Sequence, residues 1–412
     1  MTAHYEPTIP IQGSSTRRRL TLGFDPWLLI LIVALMAFGL VMVYSASWDV
    51  SWRLHNDPNA IFRSQLGHLG LGLIVMMVAA WAPIDWIRRL APILILVAIG
   101  ALFAVLLVNV GSAHRRAFLG GSIQPSEMAK LALIIYLAVW MESKGDRLGD
   151  MGYGFWPLIM IMGIVGGLIL IQPDLSAGFT VAIISVTLFF LAGARIFQVL
   201  VMAFGGGTLA LLVVRLTQTG QERWGEFIGG LVDLEEASYH VQQSLQAFYS
   251  GGIMGRGLGA SRGKFGFLPA PHTDSIFSVI GEELGLIGAL LALTLFCLFL
   301  WRGFRIAMSS PDSLETLLAS GITFWIGLEA MINMSVLLGL LPFAGNALPF
   351  FSYGGSSLVT TLSAVGLLFN ISRRTPEKID VRGSVATLGV SRRNRRRRVS
   401  RLSSRRRARQ EG

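Results

Sequence analysis

Apolar residues in this chain fall into long runs separated by short polar connections. Ten runs approach the roughly 20 residues that cross a bilayer. They are 27–47, 66–83, 90–110, 128–142, 155–171, 176–193, 196–216, 276–301, 317–341 and 354–372. The predicted architecture is an all-α polytopic membrane protein, a bundle of ten transmembrane helices. Ser45-Ala46-Ser47 looks like a signal-peptide cleavage site, but the apolar run before it exceeds the roughly 7–15 residues of a signal peptide. More spans follow, so the first run is expected to stay as a helix.

The polar connections orient the bundle. Arg17, Arg18 and Arg19 precede the first run, and Arg88 and Arg89 follow the second. Lys144 and Arg147, then Arg195, then Arg302 and Arg305 occupy every second connection after that. Positive charge marks the cytoplasmic side, so both termini are expected there. On the opposite side, residues 217–275 form a large extracellular loop, too long to be a mere link. Within it, Val241, Leu245 and Phe248 have helical spacing, which predicts a helix over Tyr239–Tyr249 lying at the membrane interface. The Gly-rich stretch Gly251–Gly259 lacks the strand–turn–helix setting of a dinucleotide site. The chain divides into a cytoplasmic tail (1–25), a transmembrane body (26–372) and a second tail (373–412).

Composition agrees. Of 412 residues, 53% are hydrophobic and 14% charged, with a mean hydropathy of +0.60; soluble domains carry about 25% charged residues. The 47 glycines suit close helix packing. The net charge of +11 is a property of the C-terminal tail: residues from Arg373 onward carry +12 and the rest −1. That tail is expected to be disordered when unbound and to bind anionic membrane lipids. It lacks the interleaved aromatics that stack bases, so nucleic acid is not expected as a partner. The single cysteine, Cys297, excludes an intrachain disulfide.

The chemistry-bearing residues sit in the non-basic connections. Asp274 lies at the boundary of the eighth run, where an ionisable group is costly and often functional. The alternative is that Thr273 or Asp274 caps that helix. Arg115 and Arg116 are either a fork for phosphates or plain surface charge. Gln124-Pro125-Ser126-Glu127 follows, with Ser126 a candidate cap for the fourth helix and Lys130 placed to pair with Glu127. Gln172-Pro173-Asp174-Leu175 makes a tight turn. Of Glu282 and Glu283, at least one should face the bundle interior. Ser352-Tyr353-Gly354-Gly355-Ser356-Ser357 suits close backbone packing or a re-entrant turn.

Taken in order, Val41–Ser47, Arg115-Arg116 with Gln124–Glu127, Gln172–Leu175, Gln243-Ser244-Leu245 with Ser250-Gly251-Gly252, His272-Thr273-Asp274 with Gly281-Glu282-Glu283, and Ser352–Ser357 resemble the SEDS family. These are the shape, elongation, division and sporulation proteins. The resemblance covers about residues 25–372. It implies a ten-helix bundle that polymerises lipid II into glycan strands beside a class B penicillin-binding protein, a transpeptidase. It also makes Asp274 the essential external aspartate. Departures exist: Ala270 replaces a usual glutamate, Ser275 a phenylalanine, Ala117 a tryptophan, and Ser176-Ala177 a Gly-Thr pair. The first helix and the long cytoplasmic ends lean toward the division branch, hence toward septal synthesis and other divisome proteins as partners. An elongation-type polymerase is the nearer alternative.

Strand growth needs a sugar hydroxyl to attack an anomeric carbon carrying a lipid pyrophosphate. Asp274 is expected as general base, with Arg115, Arg116 and Lys264 facing the pyrophosphate charge. Gln124, Glu127, Lys130, His272 and Thr273 are the further expected substrate-binding residues. A divalent cation, Mg or Mn, is compatible with this chemistry, although no compact ligand cluster marks a metal site. The rival classes are a lipid II flippase and a scaffold for the transpeptidase. Against the flippase, no inverted repeat with paired interrupted helices is evident.

Overall fold

A computed structural model describes residues 24–108 and 124–374, and every regular element among them is helical. Arg17–Arg19, the Arg115-Arg116 pair and the basic tail beyond Arg374 lie outside the described residues. Helix α1 (Pro26–His55) starts at Asp25, whose carboxylate accepts from Leu28 N at 3.0 Å. Pro26 follows in the first turn, where its missing N–H has no helical partner to lose. The helix runs unbroken through Ser45–Ser47, two turns past the expected boundary. Then come α2 (Ala60–Trp81), α3 (Ile84–Val108), α4 (Pro125–Lys144), α5 (Trp156–Ile171), α6 (Leu175–Leu191) and α7 (Ile196–Leu216). The long connection after α7 holds α8 (Gln218–Val232) and α9 (Tyr239–Gly251), and α10 (Ile276–Ser309), α11 (Ser313–Leu337) and α12 (Gly355–Arg374) complete the described elements.

Among the described residues, eight stretches combine span length with apolarity: α1, α2, α3, Met151–Ile171, α7, α10, α11 and α12. Helix α6 is shorter, at 17 residues. Helix α4 has 20 residues but carries Glu127, Lys130, Glu142 and Lys144. The protein is therefore an integral membrane protein, and its described regular elements are all helical. Helix α11 is its axis: 78% of its apolar stretch is buried, against 11% for α7 at the periphery. It packs on α4, α6, α10 and α12.

Two departures from regular helix shape one end of the bundle. Helix α10 breaks at Gly285, whose φ of 66° and ψ of −162° are open to glycine and strained for other residues. The break leaves four backbone groups without helical partners, and the Gly-rich segment supplies them. Arg256 N and Gly257 N donate to the carbonyls of Glu282 and Glu283 at 3.0 and 2.9 Å, while Leu286 N and Ile287 N donate to those of Gly252 and Ile253. Irregular backbone at such a place persists only when protein groups satisfy it.

The second departure is the segment after α11. Pro349, Phe350 and Phe351 are buried, with the two phenylalanine rings against Phe38, Phe296 and Phe299. A Cβ on Gly39 of α1 would sit 2.2 Å from the Phe350 carbonyl oxygen, so that approach requires glycine. Close packing or a re-entrant turn was expected in Ser352–Ser357; Gly355, which opens α12, packs so closely on the His68 ring that a Cβ there would sit 2.6 Å from Nε2.

The other end of the bundle is tied by ion pairs. Arg302 binds Asp25 at 2.9 Å, and Arg88 bridges Glu142 and Asp312 at 2.9 and 2.8 Å. Arg373 lies over the rings of Phe24 and Trp81. Arg373 and Arg374 thus belong to α12, not to the tail expected to begin at 373.

Candidate functional site

Residues 260–275 leave the Gly-rich segment and deliver the chain to α10 through a tight turn. Thr273 N and Ser275 N both donate to the Ala270 carbonyl, at 3.1 and 3.2 Å, and the Thr273 hydroxyl donates to the same oxygen at 3.3 Å. Ser275 occupies the N-cap of α10 with no side-chain cap bond. The helix therefore does not begin with the Thr273 or Asp274 cap weighed from sequence. Asp274 is half-buried just before the helix, with its Oδ2 near Gly345 of the α11–α12 segment. His272 is also half-buried, and burial pushes its pKa down to about 4. It is a neutral imidazole at physiological pH, packed at 5.7 Å from the Tyr353 ring.

A second polar group sits where α4, α6 and α11 meet. Lys130, only 3% exposed, binds Glu127 at 2.8 Å and also Glu329 of α11. The Trp325 ring lies beneath its ammonium, 5.6 Å from the ring centre. The Gln124 amide donates to Asp174 at 3.1 Å, and its backbone N–H donates to the Ser356 hydroxyl at 3.2 Å. Gln124 is the N-cap of α4 and Pro125 its first residue, so Ser126 lies inside the first turn and is not the cap. Asn346 links this group toward Asp274: its amide donates to the Glu329 carbonyl at 3.2 Å. Glu329 and Asn333 were missed from the sequence. Their signal is polar residues at i and i+4, in register with Trp325, inside an otherwise apolar helix.

Lys264 belongs to a third group. It is 3% exposed, and its ammonium donates to Glu283 at 2.9 Å, to the Ser45 hydroxyl at 3.1 Å and to the Gly259 carbonyl at 2.7 Å. An ammonium has three N–H donors, and here all three are engaged inside the protein. Glu282 and Glu283 both face the interior, where at least one of them was expected. Glu282 accepts from Ser250, Ser261, Arg262 N and Gly263 N, and Glu283 from Ser45, Ser261 N and Lys264. No cluster of three or more His, Cys, Asp or Glu suited to a metal ion occurs among the described residues. A cavity of about 220 Å³ lies between α8, α9 and the start of the α11–α12 segment, lined by Arg223, Phe227, Leu245 and Phe343.

The fold and these groups define a polytopic helical membrane protein with an acid-containing polar site at one end of its bundle. The chain belongs to the cell cycle protein family of FtsW, RodA and SpoVE, which matches residues 26–377. It is 38% identical over 358 residues to the probable peptidoglycan glycosyltransferase FtsW of Trichlorobacter lovleyi, covering 85% of this chain and 93% of that one. It is 37% identical over 360 residues to the stage V sporulation protein E of Bacillus subtilis, covering 85% and 97%. Among solved structures, a chain from a study of structural coordination of polymerization and crosslinking by a peptidoglycan synthase complex superposes with a TM-score of 0.69 at 28% identity. That match covers 87% of this chain and all of the other. The rod shape determining protein RodA of Thermus thermophilus gives 0.63 at 27% identity, covering 87% and 99%.

Proposed function

We propose that this protein is a peptidoglycan glycosyltransferase that polymerises lipid II into glycan strands during septal wall synthesis. The observation that carries this is the 38% identity, across 85% of the chain, to a relative named for that activity. In the reaction, a sugar hydroxyl oxygen bonds to the anomeric carbon of the donor. The bond from that carbon to the pyrophosphate oxygen breaks, and its electron pair leaves with the pyrophosphate. The hydroxyl proton passes to Asp274, the general base, which has the partial exposure needed to reach it. With Lys130 and Lys264 engaged within the protein, positive charge for the pyrophosphate falls to Arg115 and Arg116. Lys264 then serves to hold the Gly-rich segment against α10.

The ten-span topology, with both termini cytoplasmic and Asp274 outside, belongs to the same proposal. It rests on the eight apolar spans joined by α6 and α4. Twenty residues of helix measure about 30 Å, and the charges Glu127 and Lys130 of α4 are compatible with crossing because they pair inside the bundle. The partner is a class B penicillin-binding protein within the division machinery, and the basic tail binds anionic lipids. The test is polymerisation of purified lipid II with and without that partner. Glycan strands support the enzyme. Their absence with the partner present, together with transfer of labelled lipid II across liposomes, would replace it with a flippase.

A further inference from the structure

Asp274 is held by its backbone as well as by its place before α10. Three successive carbonyls, those of His272, Thr273 and Asp274, each accept a hydrogen bond from the far side of the site. Tyr353 N donates to the first at 2.8 Å, the Ser352 hydroxyl to the second at 2.7 Å, and the Asn333 side-chain amide to the third at 2.9 Å. The same Asn333 amide also donates to the Asn346 carbonyl at 2.6 Å, and Ser352 accepts from Leu348 N at 2.7 Å. Asn333 is 2% exposed and Ser352 6%. Both acceptors of Asn333 are carbonyl oxygens, so its NH₂ end must face them.

Each of the two segments that meet here also carries a non-glycine residue in the left-handed region, Ala270 at φ 46° and Phe350 at φ 66°. Such residues cost about 1–3 kcal/mol each and persist where surroundings over-determine them. Two strained turns, facing one another and joined by three hydrogen bonds to consecutive carbonyls, fix a backbone more firmly than helix initiation requires.

We propose that Asn333 and Ser352 are positioning residues for the polymerase reaction, fixing through the carbonyls of Asp274 and Thr273 where the Asp274 carboxylate points. This rests on the reading of Asp274 as the base. A base displaced by about 1 Å can lose on the order of 100-fold in rate, and substrate affinity is not what these contacts control. The test is steady-state lipid II polymerisation by the full-length protein in complex with its penicillin-binding partner. The variants are Asn333→Leu, which keeps volume without the donor, Asn333→Asp, which sets a carboxylate against two carbonyls, Ser352→Ala and Ser352→Thr.

The expected result is a fall in kcat of about 10- to 100-fold for Asn333→Leu and Ser352→Ala at unchanged KM. Asn333→Asp falls at least as far, and Ser352→Thr, which keeps the hydroxyl, recovers most of the rate. Ser352→Ala and Ser352→Thr differ at a single hydroxyl, so they decide the matter if the Asn333 variants fail to fold. Wild-type kcat in Ser352→Ala, or a loss carried entirely by KM, would overturn the positioning role. An Asp274→Asn control separates the two ideas. An inactive control beside active Ser352→Ala refutes the clamp alone, whereas an active control refutes the base.

Discussion

Asp274 and the pair Glu282–Glu283 lie within nine positions of one another, and all three are acids at the N-terminal end of α10. Their environments differ sharply. Glu282 and Glu283 are 2% and 0% exposed, and each accepts at least three hydrogen bonds. Their carboxylates hold the Gly-rich segment against the break at Gly285. Asp274 stays half-buried, and its backbone carbonyl accepts from the Asn333 side-chain amide. Two nearly inaccessible carboxylates build structure, whereas the partial exposure of Asp274 is what the proposed chemistry requires.

The sharpest way to break this contrast is at Glu283. Glu283→Ala leaves the Lys264 ammonium buried without its counter-charge, and breaking a buried pair costs about 3–5 kcal/mol. Thermal unfolding in detergent should show a large loss of stability, whereas Asp274→Asn should leave the melting temperature unchanged. Glu282→Gln keeps the shape but exchanges one acceptor oxygen for an NH₂ facing donors, at a cost of about 1–3 kcal/mol. The same melts should place it between those two.

His272 gives a smaller, pH-dependent effect. Its folded pKa, near 4, lies below the ordinary value of 6.5, so the unfolded chain binds the proton first as pH falls. Its contribution is constant above about pH 6.5 and is lost progressively down to about pH 4. His272→Gln should flatten that part of a melting-temperature profile, and an unchanged slope would remove His272 as its source. Smallest is Ala270→Gly, which relieves a left-handed alanine and should raise stability by about 0.5–1 kcal/mol, measured by the same unfolding assay.

Much of this was legible in the chain because apolar runs of span length announce themselves. The α9 helix was visible for a similar reason, through the spacing of Val241, Leu245 and Phe248. The Glu127–Lys130 pair could be foreseen because i and i+3 are neighbours on any helix. Glu329, the other partner of Lys130, lies 199 residues away, and nothing local connects them. The ties of Lys264 were hidden for the same reason: its acceptors Ser45 and Glu283 come from two other helices. The break at Gly285 is hidden because one glycine in a glycine-rich apolar run looks like any other until its φ is known. Arg115 and Arg116, legible only as a motif, lie outside the described residues.

Whether Asp274 is the base is most directly decided by single-turnover glycosidic bond formation from lipid II by Asp274→Asn, within the folded complex with its transpeptidase partner. Loss of a positioned general base should slow that step by about 100- to 10,000-fold, with an unchanged melting temperature and intact partner binding. Bond formation at the wild-type rate would contradict the account and leave Asp274 as a structural residue like its two neighbours in α10.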